Sequence, residues 1–328
     1  MSAQKQKVLL FSTIRTTFIE DDLHMLERIC DVKWICSSGF LTIGKIKYAM
    51  LFRKVGIAWF ASVYSGVVVF IARLLGKESI IIIGGADVVT NSHLGYGLLL
   101  ARWKRPILRY AVRNATKVLP TSEYLKETTQ ALCGYEGENI EVCFPGLDHK
   151  FWHPNKKREN VVLSVAHCDT SDRISIKGVD LVLKVAEKMR EVRFRIIGVT
   201  PEVVSRITAT VPENVQFQSP VGRNQLLKEY QKAIVYLQLS RVESFGIATA
   251  ESMLCGCIPV VSDAGGLPET VGNNGHVVPS EDVNAAVNAL NAILQGESGL
   301  SGKTCRKWVA SRFSMQDREE RFTDMLLG

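Results

Sequence analysis

The sequence predicts an α/β protein with two Rossmann-like, parallel-sheet domains that face a cleft, on three observations. Short apolar runs recur along the chain, and each is followed by a helical pattern. Strands that are buried on both faces of a parallel sheet have this appearance. The 328 residues suffice for two domains with separate cores. Between the two sets of runs, Phe144–Pro154 has the two prolines and the glycine of a linker.

Eight of the apolar runs are predicted strands, four on each side of the linker. They are Val8–Phe11, Val32–Cys36, Ser79–Ile83, Lys117–Pro120, Val161–Val165, Arg193–Ile197, Ile234–Leu239 and Ile258–Ser262. Ligands of such sheets bind outside the carboxyl ends of the strands. We therefore expect binding residues in the segments that directly follow the strands.

One segment allows two interpretations, because Val55–Ile71 carries no charge for 17 residues. That length is at the lower limit for a membrane span. Glycines and serines within it favour instead a strand over Gly56–Phe60 and a buried helix from about Ser62 to Leu75, with Gly76 just past the helix end.

Charge is distributed unevenly along the chain. Residues 1–160 carry 22 basic and 14 acidic side chains, a charge of +8, whereas the remainder carries 18 and 19, a charge of −1. A basic first half suits phosphates or an anionic membrane surface. Dense Lys/Arg runs with interleaved aromatics do not occur, so we expect no nucleic-acid partner.

The cysteines and the start of the chain indicate a reduced, cytoplasmic protein. The eight cysteines form no CxxC pair and have no histidine at zinc-finger spacing, so buried thiols and no metal site are expected. The apolar stretch Val8–Phe11 is too short for a signal-peptide core.

Several known nucleotide-binding motifs, and the GxSxG nucleophile elbow of α/β-hydrolases, are excluded. Gly39–Ile46 matches GxxxxGK, but a P-loop needs a hydroxyl next, and Ile46 has none. No GxGxxG or GxSxG follows a strand, and no Asp-x-Asp pair stands at a strand end to hold a metal–nucleotide complex.

The most informative stretch is Ser240–Glu269, which follows a predicted strand. Ser244 is the expected N-cap of a helix, with Glu243 at its mouth and Glu251 two turns in, roughly 12 Å farther along. The free amides of Phe245, Gly246 and Ile247 would favour a phosphate between the two carboxylates. The alternative, two solvated glutamates on a helix face, leaves the glycine at the helix mouth without a reason.

These residues resemble a known signature. Glu243 and Glu251, framed by Ser-x-x-Glu-Ser-Phe-Gly and Gly-x-Pro-Val-Val-Ser, resemble the E-x7-E motif of retaining glycosyltransferases of family 4, which have the GT-B fold. The linker 144–154 and the segment Lys177–Asp180 also resemble that family. In the first half, only Gly84–Asp87 and Leu119–Glu123 are similar to it.

The resemblance implies a donor site without a metal or other cofactor. Glu251 would hold the ribose of a nucleotide sugar, and Glu243 the hydroxyls of the transferred sugar. The amides of residues 245 to 247 would contact the sugar and the distal phosphate. Lys177 and a second cation would neutralise the pyrophosphate. The family usually has Gly-Arg at the end of the strand before Lys-Gly, whereas this chain has Ala166-His167 and a longer loop, so we expect Arg173 to be the substitute cation, with His167 as the alternative.

In the first domain the resemblance implies an acceptor site. Asp87, after an apolar strand, would act as a catalytic residue that touches the sugar or the acceptor, unless it is a loop carboxylate. Arg15 is expected to bind an anionic acceptor. A basic segment, Arg102–Arg113, together with Lys45, Lys47, Arg53 and Lys54, forms either a face toward anionic lipid or a solvated surface.

The implied function is a retaining hexosyltransferase that moves a sugar from UDP or GDP to a hydroxyl of a glycan or of a lipid-linked acceptor. The domains would be 1–148 for the acceptor, 149–305 for the donor, and a helical segment 306–328 that crosses back to the first. The location would be the cytoplasm, with the protein either free or at the inner face of a membrane. Alternatives are a GT-B epimerase or phosphorylase, or a non-catalytic sugar-nucleotide-binding protein.

Overall fold

A computed structural model describes residues 5–207 and 211–328, which form two compact units. The first unit comprises Met1–Gly146 and Met315–Gly328, and the second comprises Leu147–Ser314. The sequence placed the boundaries after residues 148 and 305. The second boundary differs because the helix that follows residue 301 packs within the second unit.

The first unit is built on a five-stranded parallel sheet. Its strands are β1 (Lys7–Ser12), β2 (Asp31–Cys36), β3 (Val55–Trp59), β4 (Glu78–Ile83) and β5 (Lys117–Pro120), in the order β2-β1-β3-β4-β5. Its helices are α1 (Thr17–Ile29), α2 (Leu41–Leu51), α3 (Val63–Leu74), α4 (Arg105–Asn114) and α5 (Glu123–Cys133), with 3-10 turns at Leu98–Leu100 and Arg102–Lys104. Helices α2 and α3 cover one face of the sheet and α1 covers the other.

The second unit has a six-stranded parallel sheet. Its strands are β6 (Glu159–Cys168), β7 (Arg193–Val199), β8 (Val215–Gln218), β9 (Ala233–Gln238), β10 (Ile258–Ser262) and β11 (His276–Val278), in the order β11-β10-β9-β6-β7-β8. Its helices are α6 (Ser171–Ile176), α7 (Val179–Lys188), α8 (Pro201–Ile207), α9 (Arg223–Lys232), α10 (Ile247–Leu254), α11 (Leu267–Val271), α12 (Val283–Leu294) and α13 (Gly302–Arg312).

The last helix, α14 (Met315–Leu327), returns to the first unit. Its Arg318 forms a buried two-bond ion pair with Asp22 of α1, at 2.7 Å from Nε to Oδ1 and 2.7 Å from Nη2 to Oδ2. The indole of Trp59 donates to the same carboxylate at 3.0 Å. Phe322 and Leu326 complete the apolar core beneath. This helix is therefore an integral layer of the first unit.

The predicted parallel sheets are confirmed, and each of the eight predicted strands is present. Two strands were missed, β8 and β11. Both lie at an edge of the second sheet, and both are short and only partly buried. Neither therefore has the continuous apolar run that marks a central strand.

Val55–Ile71 forms β3 and α3, as predicted. Ser62 caps the helix by accepting from the amide of Ser65, and Gly76 has the left-handed φ of +62° expected past a helix end. Of the described helices, none is long and apolar enough to span a bilayer. The expectation of a buried helix is wrong for one side, because Phe70 and Leu74 point outward and are exposed.

Two further expectations concern local chemistry. The P-loop was correctly excluded, since residues 41–46 of the GxxxxGK match lie within α2. All eight cysteines are free thiols, and all but Cys36 are buried.

Candidate functional site

The segment between β9 and α10 lies at the carboxyl edge of the second sheet. Gly246, not Ser244, precedes the helix, which begins at Ile247. The prediction of Ser244 as N-cap was wrong because Gly246 takes a left-handed φ of +95° and extends the loop by two residues. A Cβ atom there would lie 2.7 Å from Leu267. The first helical amides, which have no partner within the helix, therefore begin at Ile247.

Glu243 lies in the loop before α10, and the ammonium of Lys177 compensates its negative charge. Its Oε2 lies 2.9 Å from Nζ of Lys177 and accepts from Nε2 of Gln238 at 2.6 Å. Its Oε1 accepts from the amide of Ser244 at 3.3 Å. The side chain is 14% exposed, so the carboxylate is held nearly still while one edge stays open to a ligand.

Gln238, the last residue of β9, connects Glu243 to the helix. Its Oε1 accepts from the hydroxyls of Thr249 at 2.8 Å and Tyr236 at 3.0 Å, while its Nε2 also donates to Ser240 at 3.2 Å. Every polar atom of this buried side chain has a partner. Gln238 was not predicted as a site residue, although a polar residue near the end of an otherwise apolar strand is a visible signal in the sequence.

Glu251 lies in α10 and is half-buried. The hydroxyl of Tyr230 donates to its Oε2 at 3.3 Å. Burial and then the charge of Glu251 raise the pKa of Tyr230 well above its usual value, so the phenol stays protonated and donates. The ring of Tyr230 packs edge-on against Trp152 at 5.6 Å and Tyr236 at 6.0 Å. Glu251 is thereby oriented by a fully buried aromatic group.

Lys177 is positioned by the turn between α6 and α7. Gly178 has a φ of +66°, and a Cβ atom there would collide with the carbonyl of Leu239. Arg241 binds both oxygens of Asp180 at 2.8 Å and so joins the start of α7 to the loop after β9. These hydrogen bonds raise the pKa of Arg241. The loop that carries Glu243 and the turn that carries Lys177 are thus locked together.

The two candidates for the second phosphate-binding cation share one carboxylate. Nε of Arg173 lies 3.2 Å from Oδ1 of Asp169, and Nε2 of His167 lies 3.8 Å from Oδ2 of the same residue. Both side chains, Arg173 and His167, are exposed. Neither contact favours one candidate, so the choice between them stays open. Asp169 was missed by the sequence analysis.

Asp87, in the first unit, is fully buried. Its Oδ2 accepts from the amides of Ala61 at 2.8 Å and Gly84 at 3.3 Å, and its Oδ1 accepts from Gly85 at 2.6 Å. Burial raises its pKa, and the amide bonds act in the opposite direction. This geometry is that of a carboxylate that holds two loops together. Its catalytic role stays a prediction that these contacts do not favour.

Arg15, in the loop after β1, is exposed. It pairs with Glu20 and lies over the ring of Trp34 at 5.3 Å. The guanidinium is accessible to an anion, but an acidic neighbour already partners it. Binding of an acceptor there stays a prediction. Over the described ranges, no group of three or more His, Cys, Asp or Glu side chains is arranged to hold a metal ion.

The chain is similar in sequence to known proteins, and the similarity to a family model covers the second unit. Residues 148–312 match the family model described as Glycosyl transferases group 1. The chain is 25% identical over 218 residues to D-inositol 3-phosphate glycosyltransferase of Mycolicibacterium smegmatis, covering 61% of this chain and 50% of that protein. It therefore spans about half the length of the curated relatives it matches. An uncharacterised 41.2 kDa protein of the Klebsiella pneumoniae cps region is 24% identical over 302 residues, covering 86% and 80% of the two chains.

The fold as a whole is also shared with solved structures. Anabaena Alr3699/HepE in complex with UDP superimposes with a TM-score of 0.79 over 98% of this chain and 99% of that one, at 14% identity. Its complex with UDP-glucose gives 0.77 over 98% and 99%, also at 14% identity. The similarity confirms the predicted GT-B class of two Rossmann-like units.

Proposed function

Because the chain belongs to the Glycosyl transferases group 1 family, we propose that it moves a sugar from a nucleoside-diphosphate donor to an acceptor hydroxyl. The donor is a UDP- or GDP-sugar and the acceptor is a glycan or a lipid-linked hydroxyl. UDP is the first base to test, since the similar fold of Alr3699/HepE was solved with UDP. The first unit is assigned to the acceptor, and the cytoplasm is the proposed location.

One observation carries the proposal: two oriented carboxylates flank a helix mouth that has a lysine beside it. Glu243 is fixed by Gln238, and Glu251 by Tyr230. Carboxylates accept strong hydrogen bonds from sugar hydroxyls, and a helix N-terminus favours an anionic group. Glu251 is proposed to bind the ribose and Glu243 the transferred sugar, with the pyrophosphate near Ile247 and Lys177.

The ion pair between Lys177 and Glu243 indicates what happens first when the donor binds. A bound pyrophosphate carries more charge than one carboxylate, so it draws the Lys177 ammonium toward itself. Oε2 of Glu243 then keeps its bond from Gln238 and has one acceptor position free for a sugar hydroxyl. Arg173 or His167 is proposed as the second cation. The family resemblance and this charge arrangement support a donor site that needs no metal.

Transfer is proposed to proceed with retention on one face of the sugar. The bond between the anomeric carbon and the phosphate oxygen breaks, and a bond from the acceptor oxygen to that carbon forms. The acceptor proton passes to the departing phosphate oxygen. The protein contributes positioning and stabilises the separating charge through Lys177 and the amides at the start of α10.

A panel of nucleotides and nucleotide sugars tests the proposal directly. A ligand at a hundred times its Kd stabilises the folded chain by about 2.7 kcal/mol, which a thermal-shift assay detects. Release of nucleoside diphosphate should require an acceptor. Release without one would favour an epimerase or phosphorylase, and binding without any turnover would favour a sugar-nucleotide-binding protein.

Activity is expected to survive chelation. The proposed clamp is cationic, with Lys177 and Arg173 or His167 in place of a metal ion. Turnover measured before and after addition of EDTA should agree. Loss of turnover that magnesium or manganese restores would contradict the clamp.

Replacing Gln238 with leucine should lower kcat while nucleoside-diphosphate affinity changes little. Glu243 loses a hydrogen bond of the charged kind, valued at about 1.5–3 kcal/mol, so kcat should fall on the order of tenfold to a hundredfold. Gln216→Leu, an exposed site on β8, is the matched control. Equal kcat values for the two variants would show that Gln238 does not position Glu243.

A further inference from the structure

The outer side of α3 is unusual for a helix at a protein surface. Its inner side packs Val68 and Ala72 against the sheet. Its outer side presents Phe70, 56% exposed, and Leu74, 74% exposed. Helices that are apolar all round are normally covered on every side. On this outer side Val63 and Val67 are half-buried, and Phe70 and Leu74 are uncovered.

The neighbouring helices extend this surface. Helices α2 and α4 both pack beside α3. Phe40, just before α2, is 89% exposed, and Gly39 donates to the hydroxyl of Tyr64 in α3 at 2.7 Å. Between α3 and α4 runs an apolar groove of about 400 Å³. We define the apolar face by its exposed side chains: Phe40, Leu41, Tyr48, Phe52, Phe70, Leu74, Trp103 and Tyr110.

The segments that carry the apolar face have charges of one sign only. Residues 32–77 contain seven Lys or Arg and no Asp or Glu, and residues 88–122 contain six and none. Both stretches together supply α2, α3 and α4. Exposed lysines and arginines, including Lys45, Lys47 and Arg73, therefore accompany the apolar side chains without any acidic neighbour from these helices.

We propose that the apolar face is a docking surface for an anionic lipid membrane. Aromatic and aliphatic side chains enter the boundary between headgroups and acyl chains, while the basic side chains bind lipid phosphates. A second copy of this chain is a poorer occupant, because pairing two such faces would bring like charges together. The surface belongs to the first unit, so this proposal does not depend on the donor site of the second.

Vesicle co-sedimentation tests the proposal. The protein should bind vesicles of equimolar phosphatidylcholine and phosphatidylglycerol at low salt, and bind phosphatidylcholine alone far less. The double variant Leu41→Ser/Leu74→Ser should reduce the binding constant by about tenfold or more, because it removes two apolar side chains that would otherwise pass from water into the lipid. Leu327→Ser, an exposed leucine outside the apolar face, is the matched control.

Two further readouts separate lipid insertion from adsorption by charge alone. Emission of Trp103, which is exposed, should shift to shorter wavelength with anionic vesicles, and Trp103→Phe should abolish the shift. Lys45→Gln/Lys47→Gln should weaken binding at low salt, and provides a second test that does not alter any apolar side chain.

Several results would contradict the proposed membrane docking. Indifference to anionic vesicles, or binding that the leucine variants leave unchanged, would overturn the proposal. So would self-association that the same variants abolish, since a second copy would then cover the face. Nucleoside-diphosphate binding in the same samples reports on the donor site separately, so a failure here does not count against the proposed function.

Discussion

Glu251→Gln is expected to weaken binding of the whole donor and of free nucleoside diphosphate to the same degree. The substitution keeps the shape of the side chain but removes the charge that strengthens its bond to ribose hydroxyls. The loss should be about 1.5–3 kcal/mol, on the order of tenfold to a hundredfold in Kd. Titration calorimetry with UDP, GDP and their sugars measures both affinities.

Glu243→Gln should give the opposite profile. Its proposed partner is the transferred sugar, so the affinity for free nucleoside diphosphate should change little while kcat falls. Lys177 would also lose the carboxylate that it contacts at 2.9 Å. Any small change in nucleotide affinity should therefore be a gain, since the ammonium no longer has to leave a partner.

The control for both is Glu187→Gln, an exposed glutamate on α7. It should match the unaltered protein in affinity and turnover. If Glu243→Gln and Glu251→Gln behaved like this control, the pair would be ordinary surface glutamates, and the donor site would have to lie elsewhere.

Arg318→Leu is expected to lower the free energy of unfolding of the first unit by about 3–5 kcal/mol. The cost arises because Asp22 remains buried and charged without its cation. Leucine also removes the bond from Nη1 to the carbonyl of Phe144 at 2.7 Å. Chemical denaturation followed by circular dichroism measures the change.

An exposed pair between the same two helices supplies the control. Arg28 of α1 pairs with Glu319 of α14 at the surface, so Arg28→Leu should cost less than about 1 kcal/mol. A double variant, Asp22→Leu/Arg318→Leu, should recover part of the loss because no charge is left buried alone. Equal effects of Arg28→Leu and Arg318→Leu would contradict a special cost of the buried charge.

The sheets were predictable because their strands are continuous apolar runs. Lys117–Pro120 and Ile258–Ser262 match their predicted bounds. Lys177 and Glu243 were each predicted as donor-site residues, though not as a pair, and they lie in contact. Both come after strands of the same sheet, β6 and β9, which are neighbours. Sequence reasoning can thus bring together residues that follow neighbouring strands.

Contacts between distant residues could not be predicted in the same way. Tyr230 and Glu251 meet because α9 and α10 pack together, and no local pattern encodes that packing. The N-cap was misplaced because Ser244 is a good cap, whereas the conformation of Gly246 is set by close packing against Leu267. The exposure of Phe70 and Leu74 on α3 was not predicted for a related reason, because an apolar composition does not show which neighbouring elements cover a helix.

The return of α14 to the first unit has a consequence for synthesis on the ribosome. Asp22 and Arg318 are 296 residues apart, which corresponds to about 15–60 s of translation at 5–20 residues per second. Throughout that interval the nascent first unit lacks its final layer, and most of the interval is spent on synthesis of the second unit. The unit whose synthesis begins first is therefore completed in sequence after the second unit. Until α14 is made, Asp22 lacks its cation, and the core surface that Phe322 and Leu326 cover is open to chaperones.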